Sequence, residues 1–249
     1  MEFLRTFLGN DSFFGRLMYR LGVIVIGNLL FLVCSIPVVT VGASLSGLYY
    51  LCLRARRDKC RGNVRILQTF FRGFRDNFKQ ATIGWLAMLL LAVVLFLEMS
   101  WCDQFAAPIS YFKYGLIGML VLDAIAFMYW FPAIAAFKGT LREQATNTAY
   151  FAFSRPHYLV VVAALHVVPV VVSYMDLKYL PLAAFLWALC GFGLIAFLTS
   201  FFHLRQYAPF LKDLDLAGDP VGEDQADEDL MMQDESEEKT LAEMRKYGL

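Results

Sequence analysis

Leu17 to Ile36 is a stretch of 20 residues that holds a single charge, Arg20. About 20 mostly apolar residues are enough for a helix to cross the hydrocarbon core of a bilayer. A break at Ser35-Ile36-Pro37 follows. A second, shorter run then goes from about Thr40 to Leu53 and opens on the small residues Gly42-Ala43-Ser44. A run this short crosses only when it is packed into protein; otherwise it re-enters on the side it came from. The flanking charges decide between the two. Arg5, Arg16 and Arg20 precede or open the hairpin, and Arg54, Arg56, Arg57, Lys59, Arg61 and Arg65 follow it. Cytoplasmic flanks carry an excess of Lys and Arg, so both ends of the hairpin belong on that side. The chain goes out and comes back.

Hydrophobic residues make up 59% of the chain, against about 45–50% in a globular domain. They concentrate in four further runs, at about 81–101, 114–137, 158–174 and 180–202. Together with 17–36 and 40–53 these give six passes and place both termini in the cytoplasm. Only Lys113 and Lys178 fall in the outer loops, and the other 20 of 22 Lys and Arg lie inside. A five-pass arrangement with a re-entrant second run would put Arg54–Lys79, with nine positive charges, outside. It is rejected. Trp101 and Tyr111, and Tyr174 and Tyr179, flank the outer loops as interfacial anchors do. No run shows the alternation of a membrane β-strand. The expected fold is all-α: an integral membrane helical bundle over residues 1–212, six passes beginning with a Pro/Gly-broken hairpin. Leu17–Cys34 followed by Val41-Gly42-Ala43 loosely resembles a cleavable leader. The length of the apolar core and the later spans argue against cleavage.

Residues 61–79 are amphipathic rather than spanning. Ile66, Phe70, Phe71, Phe74 and Phe78 recur at spacings of three and four, with Arg65, Arg72, Arg75 and Lys79 between them. The pattern predicts a cytosolic interfacial helix, its apolar face in the acyl boundary and its cations at anionic headgroups. Arg54, Arg56, Arg57, Arg65, Arg72, Arg75 and Lys79 are therefore the candidate lipid- or partner-binding residues. From Asp213 onward the chain carries 13 of its 22 acidic residues and only three of its 22 basic ones. The formal neutrality of the whole thus hides a basic membrane body and an acidic cytosolic tail, 213–249, whose composition is that of a largely disordered segment.

Polar groups inside spans are costly and commonly functional. Asn28, Asp123 and His166 form the candidate intramembrane polar site. Asp123 stands about ten residues into its span and reads either as a proton or substrate site or as an interhelical hydrogen bond to a group such as Asn28. His166 is mid-span with Pro169 three residues on, and donation to a carbonyl that the proline leaves free is the structural alternative. Glu98 lies a turn from the outer end of its helix and reaches water. No HExxH or CxxC is present, the five cysteines have no ligand spacing, and no GxxxxGK[ST] occurs. No metal and no cofactor is expected. Gly42-Ala43-Ser44-Leu45 faintly matches the G-x-S-x of intramembrane serine proteases, with His166 as a base. The small residues at 42, 43, 44, 46 and 47 are better explained by close helix packing, with Ala43 and Gly47 as a small-xxx-small pair. Beside a membrane, the default partner of the basic aromatic segment is lipid; nucleic acid is not expected.

Two stretches resemble the YesL-like family of bacterial multi-pass membrane proteins. One is Leu30–Tyr50, centred on Cys34-Ser35-Ile36-Pro37-Val38-Val39-Thr40-Val41-Gly42-Ala43-Ser44. The other is Phe70-Phe71-Arg72-Gly73-Phe74-Arg75-Asp76-Asn77-Phe78-Lys79-Gln80-Ala81-Thr82. The resemblance implies residence in the bacterial cell membrane, and an accessory, non-enzymatic role in oligosaccharide uptake beside an ABC-type sugar importer. It carries no catalytic residues. The alternatives are an independent transporter or channel that uses Asp123 and His166, and an intramembrane hydrolase.

Overall fold

In the computed structural model of the chain, residues 13–60, 64–102, 104, 111–175 and 180–214 are described. The acidic tail from residue 215, the outer loop at 105–110, the turn at 176–179 and the start of the amphipathic segment at 61–63 lie outside the described residues. The chain divides into a unit ending at Arg205 and a second beginning at Gln206. Of the second, only the end of the last helix belongs to the described residues.

Every regular element among the described residues is helical. Helix α1 covers Phe13–Cys34, and a 3-10 turn at Val38–Thr40 leads into α2, Val41–Arg57. There follow α3, Ile66–Cys102; α4, Phe112–Ala136; α5, Leu141–Ser154; and α6, Pro156–Met175. Helix α7, Leu180–Leu186, runs through a π turn at Trp187–Gly191 into α8, Phe192–Leu214. Among the described residues, six stretches are long and apolar enough to cross a membrane: 14–34, 38–57, 66–102, 112–136, 156–175 and 180–211. They coincide with the six expected passes, and the protein is a multi-pass membrane helical bundle.

The proline break between α1 and α2 is a built corner. Pro37 cannot donate a backbone hydrogen bond, so the chain leaves helical geometry there. The Thr40 hydroxyl contacts the carbonyls of Cys34 at 2.6 Å and Pro37 at 2.8 Å. The indole of Trp85, on α3, donates to the Val38 carbonyl at 2.8 Å. Helix α2 then enters the middle of the bundle, where 13 of its 17 residues are buried. It is the least apolar of the six spans and the most enclosed. Lipid demands an apolar surface, and a helix wrapped by other helices does not face lipid.

What lets α2 sit so deep is the absence of side chains along its seam with α3. A Cβ on Gly42 would collide with the carbonyl of Ala81, and one on Gly47 would lie 2.9 Å from the carbonyl of Phe70. From the other side, a Cβ on Gly73 would strike the Tyr50 ring. Backbone meets side chain in both directions. Further along α3, Gly84 receives the Trp130 indole of α4. Leu48, Leu51, Phe70 and Phe131 fill the core around this seam.

Helix α3 corrects one expectation. The segment at 61–79 is not a separate interfacial helix: from Ile66 it is the opening of a single helix of 37 residues. At about 1.5 Å per residue this is roughly 55 Å long, against about 30 Å of hydrocarbon. Its phenylalanines divide accordingly. Phe70 is wholly buried against α2, whereas Phe71 and Phe78 are exposed. The apolar stripe is partly a packing face for α2.

Helix α5, which periodicity did not reveal, starts with a capping box: Glu143 N–H donates to Thr140 Oγ1, and Thr140 N–H donates to the Glu143 carboxylate at 2.7 Å. The buried Gln144 side chain donates to the Phe137 carbonyl at 2.6 Å, and Gln80 of α3 donates to Gly139 at 2.6 Å. The α4–α5 corner is thereby tied to α3.

The seam makes a prediction. Gly47→Ala, which forces a Cβ against a helix backbone, is expected to lower stability by about 1–3 kcal/mol. Gly115→Ala on α4, where nothing stands within 4 Å of the added carbon, is expected to be neutral or slightly stabilising. Thermal unfolding of the two variants in the same detergent checks this, and equal melting temperatures would contradict the seam.

Candidate functional site

Asn28 sits in α1 with no exposed surface. A π turn breaks the regular i→i−4 ladder, so nearby backbone groups need other partners. The Asn28 amide supplies them. Its Nδ2 donates to the carbonyls of Trp187 at 3.2 Å and Ala188 at 2.7 Å, and its Oδ1 accepts from Gly193 N–H at 2.9 Å. Gly193 permits the approach, because a Cβ there would collide with the Ile24 carbonyl of α1. The π turn has a second tie. Trp187 Nε1 donates to Ser173 Oγ at 2.9 Å, and that hydroxyl donates to the Pro169 carbonyl at 2.7 Å. The polar groups of α1, α6 and the π turn thus lock three helices together.

His166, in α6, holds another contact between helices. Its Nδ1 is 2.8 Å from the Val162 carbonyl, and its Nε2 is 3.3 Å from the Tyr49 hydroxyl of α2. A carbonyl only accepts, so Nδ1 carries the hydrogen; in the neutral ring Nε2 then accepts from Tyr49. The carbonyl that Pro169 deprives of its donor is that of Leu165, four residues back. The imidazole takes the one at Val162 instead. Tyr49 leads on to a group that the sequence did not single out. Its ring meets His203 of α8 edge-on at 6.2 Å, and Tyr129 of α4 meets the same imidazole edge-on at 5.0 Å. Tyr129 and His203 have no exposed surface, and the Tyr129 hydroxyl has no hydrogen-bond partner among the described residues. Four helices meet at this cluster of two phenols and two imidazoles. A signal for part of it was present: Thr199 and His203 stand four apart in an apolar run, and the structure buries both.

Asp123 is elsewhere. It lies half-buried near the middle of α4, with no hydrogen bond or ion pair to any described residue. The expected bond to Asn28 does not form, because the Asn28 amide is committed to the π turn. The three expected site residues are therefore not joined into one hydrogen-bonded site. Glu98 is exposed near the end of α3. Ser44 Oγ donates to the Thr40 carbonyl at 2.9 Å, while His166 engages Tyr49.

The basic residues separate into two groups. Arg54 is buried, its guanidinium over the Tyr50 ring at 5.2 Å, which corrects its place among the surface cations. Arg56 is half-buried, and its Nε donates to the Phe197 carbonyl of α8 at 2.7 Å and to Ser200 Oγ at 3.0 Å. Arg57, Arg65, Arg75 and Lys79 are exposed and Arg72 is half-exposed. Asp76 stands 3.8 Å from Arg72 and 4.0 Å from Arg75. Arg72, Arg75 and Lys79 lie in the opening turns of α3, Arg65 stands just before it, and Arg57 closes α2.

Residues 24–99 match a family model described as "Protein of unknown function, DUF624". A Bacillus subtilis (strain 168) protein named "Uncharacterized protein YesL" is 27% identical over 110 residues, which cover 43% of this chain and 52% of that protein. The chain spans about half the length of the relative it matches. No solved structure matches the chain. The family match runs from the middle of α1 almost to the end of α3 and contains both sequence motifs. In the structure these motifs are the two sides of one seam.

The lock on the π turn predicts that Asn28→Leu, which strands buried backbone groups, destabilises the protein by about 1–3 kcal/mol for each group left unpaired. Asp123→Asn, at a side chain with no partner among the described residues, is expected to leave the melting temperature within about a degree. Thermal unfolding in detergent compares the two.

Proposed function

We propose that this chain, which resembles the YesL-like DUF624 family from α1 through α3, is a non-enzymatic accessory membrane protein in oligosaccharide uptake. Its basic end and both termini lie in the cytoplasm of a bacterial cell, and it docks there against an ABC-type sugar importer. The observation that carries the reading is the length of α3. Roughly half of this helix exceeds what the bilayer needs. The excess is held rigid by α2 and presents Arg65, Arg75 and Lys79 to its surroundings. A stiff cationic rod beside a membrane suits docking better than catalysis. The in-span polar groups agree with this: Asn28 and His166 hold helices together.

Asp123 supports a second reading. A half-buried carboxyl near mid-span, without a partner among the described residues, is the kind of group that a proton-coupled carrier uses, and it favours an independent small transporter.

Two measurements test these readings. Topology reporters placed after Lys59 and after Leu211 are expected to report cytoplasm, and one within residues 105–110 the outside; an external signal after Lys59 would overturn the orientation. Purification from mild detergent is expected to retain importer subunits with the native chain and to lose most of them with the triple variant Arg65→Glu, Arg75→Glu, Lys79→Glu. Asp123→Asn is expected to leave both partner recovery and saccharide uptake unchanged. Loss of uptake with Asp123→Asn at normal protein level would favour the carrier instead.

A further inference from the structure

Arg20, Arg56 and Arg205 come from α1, α2 and α8 and converge at one end of the bundle. Two of them share a ring. The guanidinium carbon of Arg56 lies 5.5 Å from the centroid of Phe201, and that of Arg205 lies 4.8 Å from it. Arg20 is near enough for its charge to act on Arg56. None of the three forms an ion pair with a described residue. Three cations drawn together, none of them ion-paired with a described carboxylate, repel one another, and an anion between them removes the repulsion.

Arg56 is the fixed member. Its Nε is committed to the Phe197 carbonyl and Ser200, and its guanidinium carbon stands 4.0 Å from the Phe197 ring centroid. Both Nη groups remain without a protein partner among the described residues. A guanidinium held in this way loses little freedom when it binds, and its planar fork matches two oxygens of a phosphate. Arg20 and Arg205 are exposed, so they can close on a group bound at Arg56. The surroundings are apolar: Phe201, Leu17, Met18 and Leu21 are all exposed. Such a surface faces acyl chains, with the arginines reaching to headgroup level.

We propose that Arg20, Arg56 and Arg205 form a binding site for a phosphate group, supplied by an anionic phospholipid of the same leaflet. The site is separate from the cations of α3 and does not depend on the role in uptake. The apolar rim is what selects a lipid over free phosphate.

The test uses the full-length protein in neutral detergent, titrated with phosphatidylglycerol, phosphatidylcholine or inorganic phosphate, and read by melting temperature and by native mass spectrometry. Phosphatidylglycerol is expected to bind and to raise the melting temperature, whereas the other two are not. The double variant R20Q/R205Q is expected to weaken phosphatidylglycerol binding about tenfold to thirtyfold. K138Q/R142Q, at the exposed Lys138 before α5 and the exposed Arg142 in its first turn, is expected to change it less than about twofold. R205Q alone, expected to cost about threefold to tenfold, carries the test if the double variant does not fold. Equal weakening by the two double variants would reduce the site to diffuse surface charge and overturn the proposal. An unchanged affinity in R20Q/R205Q, or an equal response to phosphatidylcholine, would do the same. A melting shift from inorganic phosphate that matches that of the lipid would overturn the assignment to a phospholipid.

Discussion

The contact on which the rest of the bundle depends is the approach of α2 to α3 at Gly42, Gly47 and Gly73. In water, apolar burial would drive two helices together. Between helices already in lipid that gain is absent, because the acyl chains are as apolar as the side chains they leave. What remains is dispersion over a closely fitted surface and whatever hydrogen bonds the fit allows. Glycine gives the fit: with no Cβ on either side, the Phe70 carbonyl and the Tyr50 ring occupy the space that a side chain would take. Once α2 is enclosed, it can carry Ser44, Ser46, Tyr49 and Arg54, none of which suits a lipid-facing span.

This explains why the order of apolarity among the spans runs against the order of burial at α2. It also explains how far the sequence could be read. Six passes were legible because length and apolarity are set by the bilayer, whose thickness is known in advance. The identity of the central helix was legible only in part, through the small residues at 42–47. The long continuous α3 was not legible at all. Cations alternating with phenylalanines from Arg65 to Lys79 describe a helix with one apolar face, and periodicity does not say whether that face meets lipid or another helix. Phe70 meets α2 and Phe71 does not. That assignment requires the partner's position.

The polar residues show the same limit in another form. Asn28, Asp123 and His166 stand out in apolar runs, and the rule that finds them is sound. Their partners are invisible, since Asn28 bonds to backbone groups exposed by a π turn that no residue type announces. Tyr49 and Tyr129 escaped notice because a tyrosine in an aromatic-rich span looks like packing. His203 fell one residue past the expected end of the last span at 202, although α8 continues to Leu214. Ending the span at 202 was enough to hide one of the two imidazoles of the cluster.

Helix α6 shows what these polar contacts do for the assembly. Val162 is the one residue buried among its described positions, and most of its valines are exposed. Apolar packing therefore holds it weakly. It is fastened instead by His166 to Tyr49 of α2, and by Ser173 to Trp187 of the π turn, which Asn28 in turn ties to α1. A hydrogen bond between membrane helices contributes modestly, about 0.6–2 kcal/mol, but it is directional. It sets rotation and depth where dispersion alone would let a valine-rich helix slide. The polar groups buried in this bundle thus divide their work by position: the glycine seam fixes α2 and α3, and point contacts hold α6 and the π turn to them. Arg56 belongs to the same scheme, because its Nε is pinned to α8 while its Nη groups have no protein partner among the described residues. A side chain that fastens two helices can in this way also present a charge.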